Sequence, residues 1–377
     1  MTHPKIRVGI IGAGPERSWA ARSHVPALQA LGDRFELVGV GTSRPESSGQ
    51  AAEQWSVPHA FADARRLAEH PDVDLVTVAV KVPHHLELVE TALAAGKHVY
   101  CEWPLARTTA EAEQLLKAAQ AAGVRHWVGL QARQSPVVIH AAELIADGYV
   151  GKVTSVHVHA SRFRGTGVLP SFAAYTLDRA NGAGTLEVVG GHTLDVVEAL
   201  VGPLTQVSSA LSLQREEYTL AETGETVRAT SPDVVQIAAT ATGGAAVSVH
   251  LHDGRIHDAG TLIGIAGTEG SLTIASHGPG APSGVQISEL RLLGARGADT
   301  GDAELETPAH HRVVPAGVPG VAALGVAQNY ARLAADLANG TQTVPGFREG
   351  VRLHRLLDAV RHSAATGTQQ SVPATGD

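Results

Sequence analysis

The sequence predicts a doubly wound parallel sheet followed by a large, mostly antiparallel sheet with helices on one face. Three observations carry that reading. Short apolar runs alternate with helical spacing over residues 1–130. The first of those runs ends in a glycine turn. After Gln131 the apolar period changes to two, the mark of half-exposed strands.

Taken in order, Lys5–Ile11 is an apolar run ending in Gly12-Ala13-Gly14, and a helix follows through Ala20, Val25 and Leu28. Gly12 permits a tight turn, and Gly14 lets the backbone approach a pyrophosphate at a helix N-terminus. Position 17 is arginine where GxGxxG has its third glycine, so the helix is expected to start late, near Trp19. Phe35–Gly41 and Asp74–Val80 are the next strands. His84–Ala95 reads as a helix closed by Gly96. Lys97–Cys101 is a strand leading into Tyr100–Leu105 (YCEWPL), and a capping box at Thr108 and Glu111 opens the helix Thr109–Ala122. Val124–Leu130 completes the βα alternation, which calls for a parallel sheet binding its ligand beyond the carboxyl ends of the strands.

The second domain, 131–377, is expected to bind substrate and to mediate oligomerisation. Ser135–Asp147 reads as a helix and Lys152–Ala160 as a strand. Further alternating runs lie at Leu204–Gln214, Val234–Ala241, Ala245–His252, Leu262–Ala266, Ser271–Ala275 and Val285–Leu293. Val189–Val201 interrupts them as a helix with His192 and Asp195 on one face. Helices at Val321–Ala338 and Arg348–Ala364 close the chain, and the tail beyond Thr366 is expected to fray.

Composition narrows the function. A formal net charge of −8 argues against nucleic acid or an anionic membrane as the main partner. One cysteine, Cys101, excludes an internal disulfide framework and fits a reducing, cytoplasmic setting. The amino terminus enters a strand directly, with no signal-peptide pattern. At the end of the second strand Thr42, Ser43 and Arg44 stand where an acidic residue would hold the ribose of NAD. NADP is therefore expected ahead of NAD. Among the 20 histidines, the pairs His84-His85, His310-His311 and His157/His159 lack a matched third ligand, and no metal centre is expected. His157 and His159 share one strand face, so a surface zinc there remains an alternative to solvated histidines.

These motifs resemble the Gfo/Idh/MocA (glucose-fructose oxidoreductase / inositol dehydrogenase) family. The resemblance rests on VGIIGAG, KHVYCEWPLA and HTLDVVEALVG, and it runs from about Lys5 to about His362. Ser18-Trp19-Ala20, VKVPHH, LQARQSP and GHTLDV are similar to the branch containing the fungal galactose-regulon repressor. The resemblance implies an N-terminal Rossmann domain and an NAD(P)-dependent oxidoreductase acting on a sugar, cyclitol or related polyol. It implies cofactor contacts from Gly12, Gly14, Trp19, Thr42, Ser43, Arg44, Lys81, Pro83, His85, Glu102, Trp103 and Gln131. The family's usual lysine after the glutamate is Trp103 here, and its usual aspartate before the helix histidine is Val188, beside Glu187. His192 is retained.

Trp103 cannot accept a proton, so the acid/base group is sought in His192, Lys81 and Tyr175. Of the lysines (Lys5, Lys81, Lys97, Lys117, Lys152), Lys81 alone is expected at the carboxyl edge of the sheet. The loss of the usual lysine keeps two alternatives open. One is a non-catalytic, dinucleotide-sensing regulator; the other is a redox-neutral enzyme acting on a glycoside. Arg162, Arg164 and the polar loop Arg179–Thr185 favour a furnished substrate pocket. An exposed sheet face points to a homodimer or homotetramer.

Overall fold

The computed structural model describes residues 4–16, 18–278 and 284–373. Arg17 and the last part of the tail expected to fray lie outside the described residues. The chain folds as two compact units.

The first unit begins with β1 (Ile6–Ile11), α1 (Trp19–Arg22), α2 (His24–Ala30) and β2 (Phe35–Gly41). It continues with α3 (Pro45–Trp55), β3 (His59–Phe61), α4 (Ala64–Ala68), β4 (Leu75–Val78), α5 (His85–Ala94), β5 (His98–Glu102), α6 (Thr109–Ala122) and β6 (His126–Gly129). The six strands pair in parallel in the order β3-β2-β1-β4-β5-β6, the doubly wound arrangement expected. Helix α1 does start at Trp19, because Ser18 caps it: its hydroxyl accepts from the Ala21 N–H at 3.1 Å and donates to the Gly14 carbonyl at 2.6 Å. The capping box before α6 forms only in part. Thr108 Oγ1 accepts from the Glu111 N–H, but Glu111 reaches back to the Arg107 N–H at 3.0 Å, not to that of Thr108. Arg107 holds it there because its guanidinium also meets the carboxylate.

The second unit starts with α7 (Pro136–Ala146), β7 (Val153–Ser161) and β8 (Val168–Leu169). A π-helical turn, Leu186–Gly190, leads into α8 (Gly191–Val201). The strands that follow are β9 (Leu204–Ser212), β10 (Glu217–Leu220), β11 (Thr226–Arg228), β12 (Val234–Ala241), β13 (Ala246–His252), β14 (Thr261–Gly267), β15 (Gly270–Ser276), β16 (Leu290–Arg296) and β17 (Ala303–Glu304). The run expected to begin at Val285 starts pairing only at Leu290, because residues before it form turns.

After His311 the chain contributes α9 (Gly320–Asn339) to the first unit, then α10 (Phe347–Thr366) and β18 (Gln370–Ser371). The large sheet has nine strands, β17-β16-β15-β14-β7-β13-β12-β9-β18, antiparallel except where β7 meets β13. Its alternation is as expected: Val156, Val158, Val249 and Leu251 are buried, while His157, His159 and His250 face out.

A division into 1–130 and 131–377 does not describe these units. The first unit comprises the residues up to Gln131 together with Arg312–Val351, and the second the rest. The reason is packing. Tyr330, Leu333 and Val344 belong to the same buried cluster as Leu28, Phe35, Tyr100 and Trp127.

Candidate functional site

The parallel register sets the strand ends level. Ile11 pairs with Gly41 and with Val78, Val78 with Cys101, and Glu102 with Gly129. The segments that follow β1, β2, β4 and β5 therefore share one sheet edge. Gly12, Gly14, Trp19, Thr42, Ser43, Arg44, Lys81, Pro83, Glu102 and Trp103 all lie at or just beyond those strand ends.

Gly12 is fixed by the fold. Its φ is +100°, and a Cβ there would lie 2.5 Å from the Ala79 carbonyl oxygen. Gly14 is different: an added Cβ would meet only Ser18 Cβ, at 3.8 Å, so its own fold leaves the space beside it open. Both observations fit the approach of a dinucleotide pyrophosphate. Trp19 Nε1 is buried with no hydrogen-bond partner among the described residues. Thr42 turns into its own loop, bonding the Arg44 carbonyl at 2.8 Å and Ser47 Oγ at 2.6 Å, while Ser43 and Arg44 are exposed. Lys81 precedes the short turn Val82–His84 and is exposed, with Pro83 half-buried behind it. Gln131 is buried, and its Oε1 has no partner among the described residues.

His85 does not fit the role expected of it. Its ring is buried, with Nδ1 2.8 Å from the Pro104 carbonyl and Nε2 3.1 Å from that of Val80. Burial lowers its pKa. The side chain braces the YCEWPL segment and presents nothing to a cofactor.

Glu102 sits at the centre of a network the sequence did not reveal. His24 Nε2 lies 2.9 Å from Glu102 Oε1, and His24 Nδ1 lies 2.8 Å from the Tyr330 hydroxyl. The Thr77 hydroxyl is 2.8 Å from the same Tyr330 oxygen. One set of donors satisfies all three contacts: Thr77 donates to Tyr330, Tyr330 to His24 Nδ1, and His24 Nε2–H to the carboxylate. The Thr77 and Tyr330 hydroxyls, both His24 ring nitrogens and Glu102 Oε1 are thus paired with one another inside the core. Gly129 makes room for it, since a Cβ there would come 2.8 Å from Glu102 Oε1. Trp103 follows, only 5% exposed, and its peptide bond to Pro104 is cis. Cys101 is buried and burial raises its thiol pKa well above the ordinary value, so it is no nucleophile.

The second unit holds the other expected residues. His192 lies in the first turn of α8, 3% exposed, and burial pushes its pKa down to about 3. Its Nδ1 is buried without a partner among the described residues. Asp195, one turn on, is held by Arg133, whose Nε donates to Oδ2 at 2.8 Å and whose Nη2 bonds Oδ1. Glu187 receives a bond from Arg361 at 2.8 Å. Tyr175 lies in the turn Ser171–Leu177, where burial raises its pKa against the opposing charge of Arg164. Arg162 and Arg164 both turn to one buried carboxylate. Arg162 Nε donates to Asp253 Oδ1 at 2.7 Å, the Thr185 hydroxyl donates to Oδ2 at 2.7 Å, and Arg164 Nη1 lies 3.7 Å from Oδ2. Burial and the adjoining Arg162 bring the Arg164 pKa down to about 10. Arg164 and Asp253 also line a cavity of about 580 Å³ with Arg215, Tyr218 and Asp233.

Missed in the sequence were His24, Thr77, Tyr330, Arg133 and Asp253. Arg133 lay inside the LQARQSP motif and Asp253 directly after the alternating run that ends at His252, but neither stretch showed the carboxylate or guanidinium it would meet.

Among the described residues, no helix is long and apolar enough to cross a membrane. Residues 6–130 match the family described as "Oxidoreductase family, NAD-binding Rossmann fold", and residues 136–276 match "Gal80p, C-terminal domain". The galactose/lactose metabolism regulatory protein GAL80 of Kluyveromyces lactis is 31% identical over 60% of this chain and 53% of its own length. Levoglucosan dehydrogenase of Pseudarthrobacter phenanthrenivorans is 28% identical over 55% of this chain and 54% of its own length. The chain thus spans about half the length of these curated relatives. A crystal structure of a super-repressor mutant of Gal80p from Saccharomyces cerevisiae shares the fold, with a TM-score of 0.86 over 98% of each chain at 23% identity. Residues 6–130 thus match the Gfo/Idh/MocA oxidoreductase family's NAD-binding Rossmann domain, and residues 136–276, following in order, match the Gal80p type of C-terminal domain.

Proposed function

We propose that this chain is an NAD(P)-dependent oxidoreductase acting on a sugar, cyclitol or related polyol or ketone. The observation that carries the reading is His192. Its buried Nδ1 has no partner among the described residues, which leaves a lone pair or N–H there for a ligand. Its similarity to levoglucosan dehydrogenase supports a sugar-like substrate.

A bound nicotinamide supplies the hydride acceptor or donor. The chain's own residues do the rest. The turn at Gly12 and Gly14 lets the backbone approach the pyrophosphate, and Thr42, Ser43 and Arg44 favour the 2′-phosphate of NADP, no carboxylate standing among them. Since His24 already occupies Glu102 Oε1, Oε2 is the oxygen that accepts from the nicotinamide ribose. Trp103 excludes water and packs against the ring systems. His192 takes the proton of the substrate hydroxyl in oxidation, with Lys81 and Tyr175 as the second and third acid/base groups. In this reading two copies pair through the outward face of the nine-stranded sheet.

The replacement of the family lysine by Trp103 favours a second reading, a dinucleotide-sensing regulator without turnover. The two part on one experiment. The protein is mixed with NAD⁺ or NADP⁺ and a panel of polyols, and the formation of reduced nicotinamide is followed. Turnover is expected, with tighter binding of NADP⁺. His192→Ala is expected to lower kcat about 10²–10⁴-fold while leaving the dinucleotide Kd within roughly twofold. Tight dinucleotide binding with no turnover on any substrate would give the regulator instead.

A further inference from the structure

Within the second unit, two residues of α7 meet the short turn Ala309–His311. His140 and Glu143 lie at i and i+3 and so share a face of the helix. His311 is buried, and its Nε2 is 3.0 Å from Glu143 Oε2. The His140 and His311 rings have centroids 5.6 Å apart. One ligand atom from each of the three residues falls within 4.8 Å of the others. His140 Nδ1 is buried and has no hydrogen-bond partner among the described residues.

We propose that His140, Glu143 and His311 form a binding site for a zinc-class divalent cation. Two imidazoles and one carboxylate are a donor set that zinc takes with bonds of about 2.0–2.2 Å. In a tetrahedron of that size neighbouring ligand atoms stand about 3.3 Å apart. The Glu143–His311 edge, at 3.0 Å, needs to open by only a few tenths of an ångström, and His140 closes the triangle by a modest side-chain rotation. Water is one fourth ligand. His310 is another, its ring centroid 4.2 Å from that of His311. Glu143 is 52% exposed at its side chain, which gives the ion a route in from solvent.

A bound cation would fasten the turn Ala309–His311 to α7. That turn ends the second unit's stretch of chain before Arg312. The site is structural and separate from the residues assigned to hydride chemistry.

Another group of ligand type, His59, His70 and Asp72, makes the contrast. There Asp72 Oδ1 already accepts from Arg7 Nη1 at 3.3 Å, so an incoming cation would have to compete with a guanidinium. Among the described residues no guanidinium is paired with Glu143, whose ion-pair partner is His311.

The test uses the whole chain, stripped with a chelator and titrated with Co²⁺ and, separately, Zn²⁺. Saturation at one ion per chain is expected, with the visible absorption of tetrahedral Co²⁺ and a rise in Tm with Zn²⁺. His140→Ala is expected to weaken binding at least tenfold. Glu143→Gln, a change at an exposed position, should do the same without lowering the Tm of the stripped protein. His59→Ala should leave binding unchanged. Absence of saturable binding in the wild type, or binding that survives both His140→Ala and Glu143→Gln, would overturn the proposal. So would loss of binding in His59→Ala alone.

Discussion

At the scale of single residues, the glutamate of YCEWPL matters less by itself than through what stands behind it. The chain Thr77–Tyr330–His24–Glu102 is buried along its length, and each link depends on the next. Tyr330→Phe would strand His24 Nδ1 as an acceptor without a donor. It should cost about 1–3 kcal/mol in urea unfolding and weaken dinucleotide binding severalfold. Unchanged stability would show that the network contributes nothing. Buried histidines also set the acid limit. His192 titrates at about 3 and His126 at about 4 in the folded protein, both through burial, against about 6.5 when unfolded. Between those values the unfolded chain binds more protons, so stability is full above about pH 6.5 and falls as the pH drops towards 4. Tm measured from pH 7.5 to 4.5 should fall, and less steeply in His126→Asn. Glu102 and the GxG turn were legible in the sequence because they sit in a contiguous motif. His24 and Tyr330 were not: each reads as an ordinary member of an amphipathic helix, and their contact spans most of the chain.

At the scale of elements, long periodic segments were legible and short ones were not. The strands Phe35–Gly41 and Val234–Ala241 and the helix Thr109–Ala122 have the bounds that their periodicity gives. The stretch from Pro45 to Ala68 holds α3, β3 and α4, of which β3 has three residues and α4 five, too few to show a period. The start of α8 was hidden for another reason. The π-helical turn Leu186–Gly190 precedes it, and its wider winding breaks the 3.6-residue spacing. Connections have their own anchors. Asp336, near the end of α9, is buried and accepts from Thr341 Oγ1 at 2.7 Å and from the backbone N–H groups of Thr343 and Val344. Asp336→Ala should remove the order of residues 340–344 and lower stability by about 2–4 kcal/mol, since several donors lose one acceptor together. Amide exchange of Thr343 and Val344 would report it; protection equal to wild type would refute the assignment.

At the scale of the whole molecule, the fold class and family were legible, but the course of the chain between the units was not. Periodicity describes each segment and carries no information on which core a late helix joins. Helix α9 reads as an amphipathic helix like α10, yet it fills the core of the first unit beside α2. A fragment ending at residue 131 should therefore behave as a poorly packed state that binds hydrophobic dyes. Joining residues 312–351 to it through a flexible linker should restore a cooperative unfolding transition. A fragment that melts cooperatively without them would show α9 to be dispensable.

The same return of α9 has a consequence for how the protein is made. Tyr330 bonds the buried His24 and stacks on Tyr100, so the first unit lacks part of its interior until that residue is synthesised. At ~5–20 residues/s, about ten to forty seconds of translation separate Gln131 from Arg312. During that interval Leu28, Phe35 and Tyr100 lack their cover, and chaperones have a defined surface to hold. The second unit's main strands emerge during the wait. The segment translated first is therefore completed only after most of the second unit has been made.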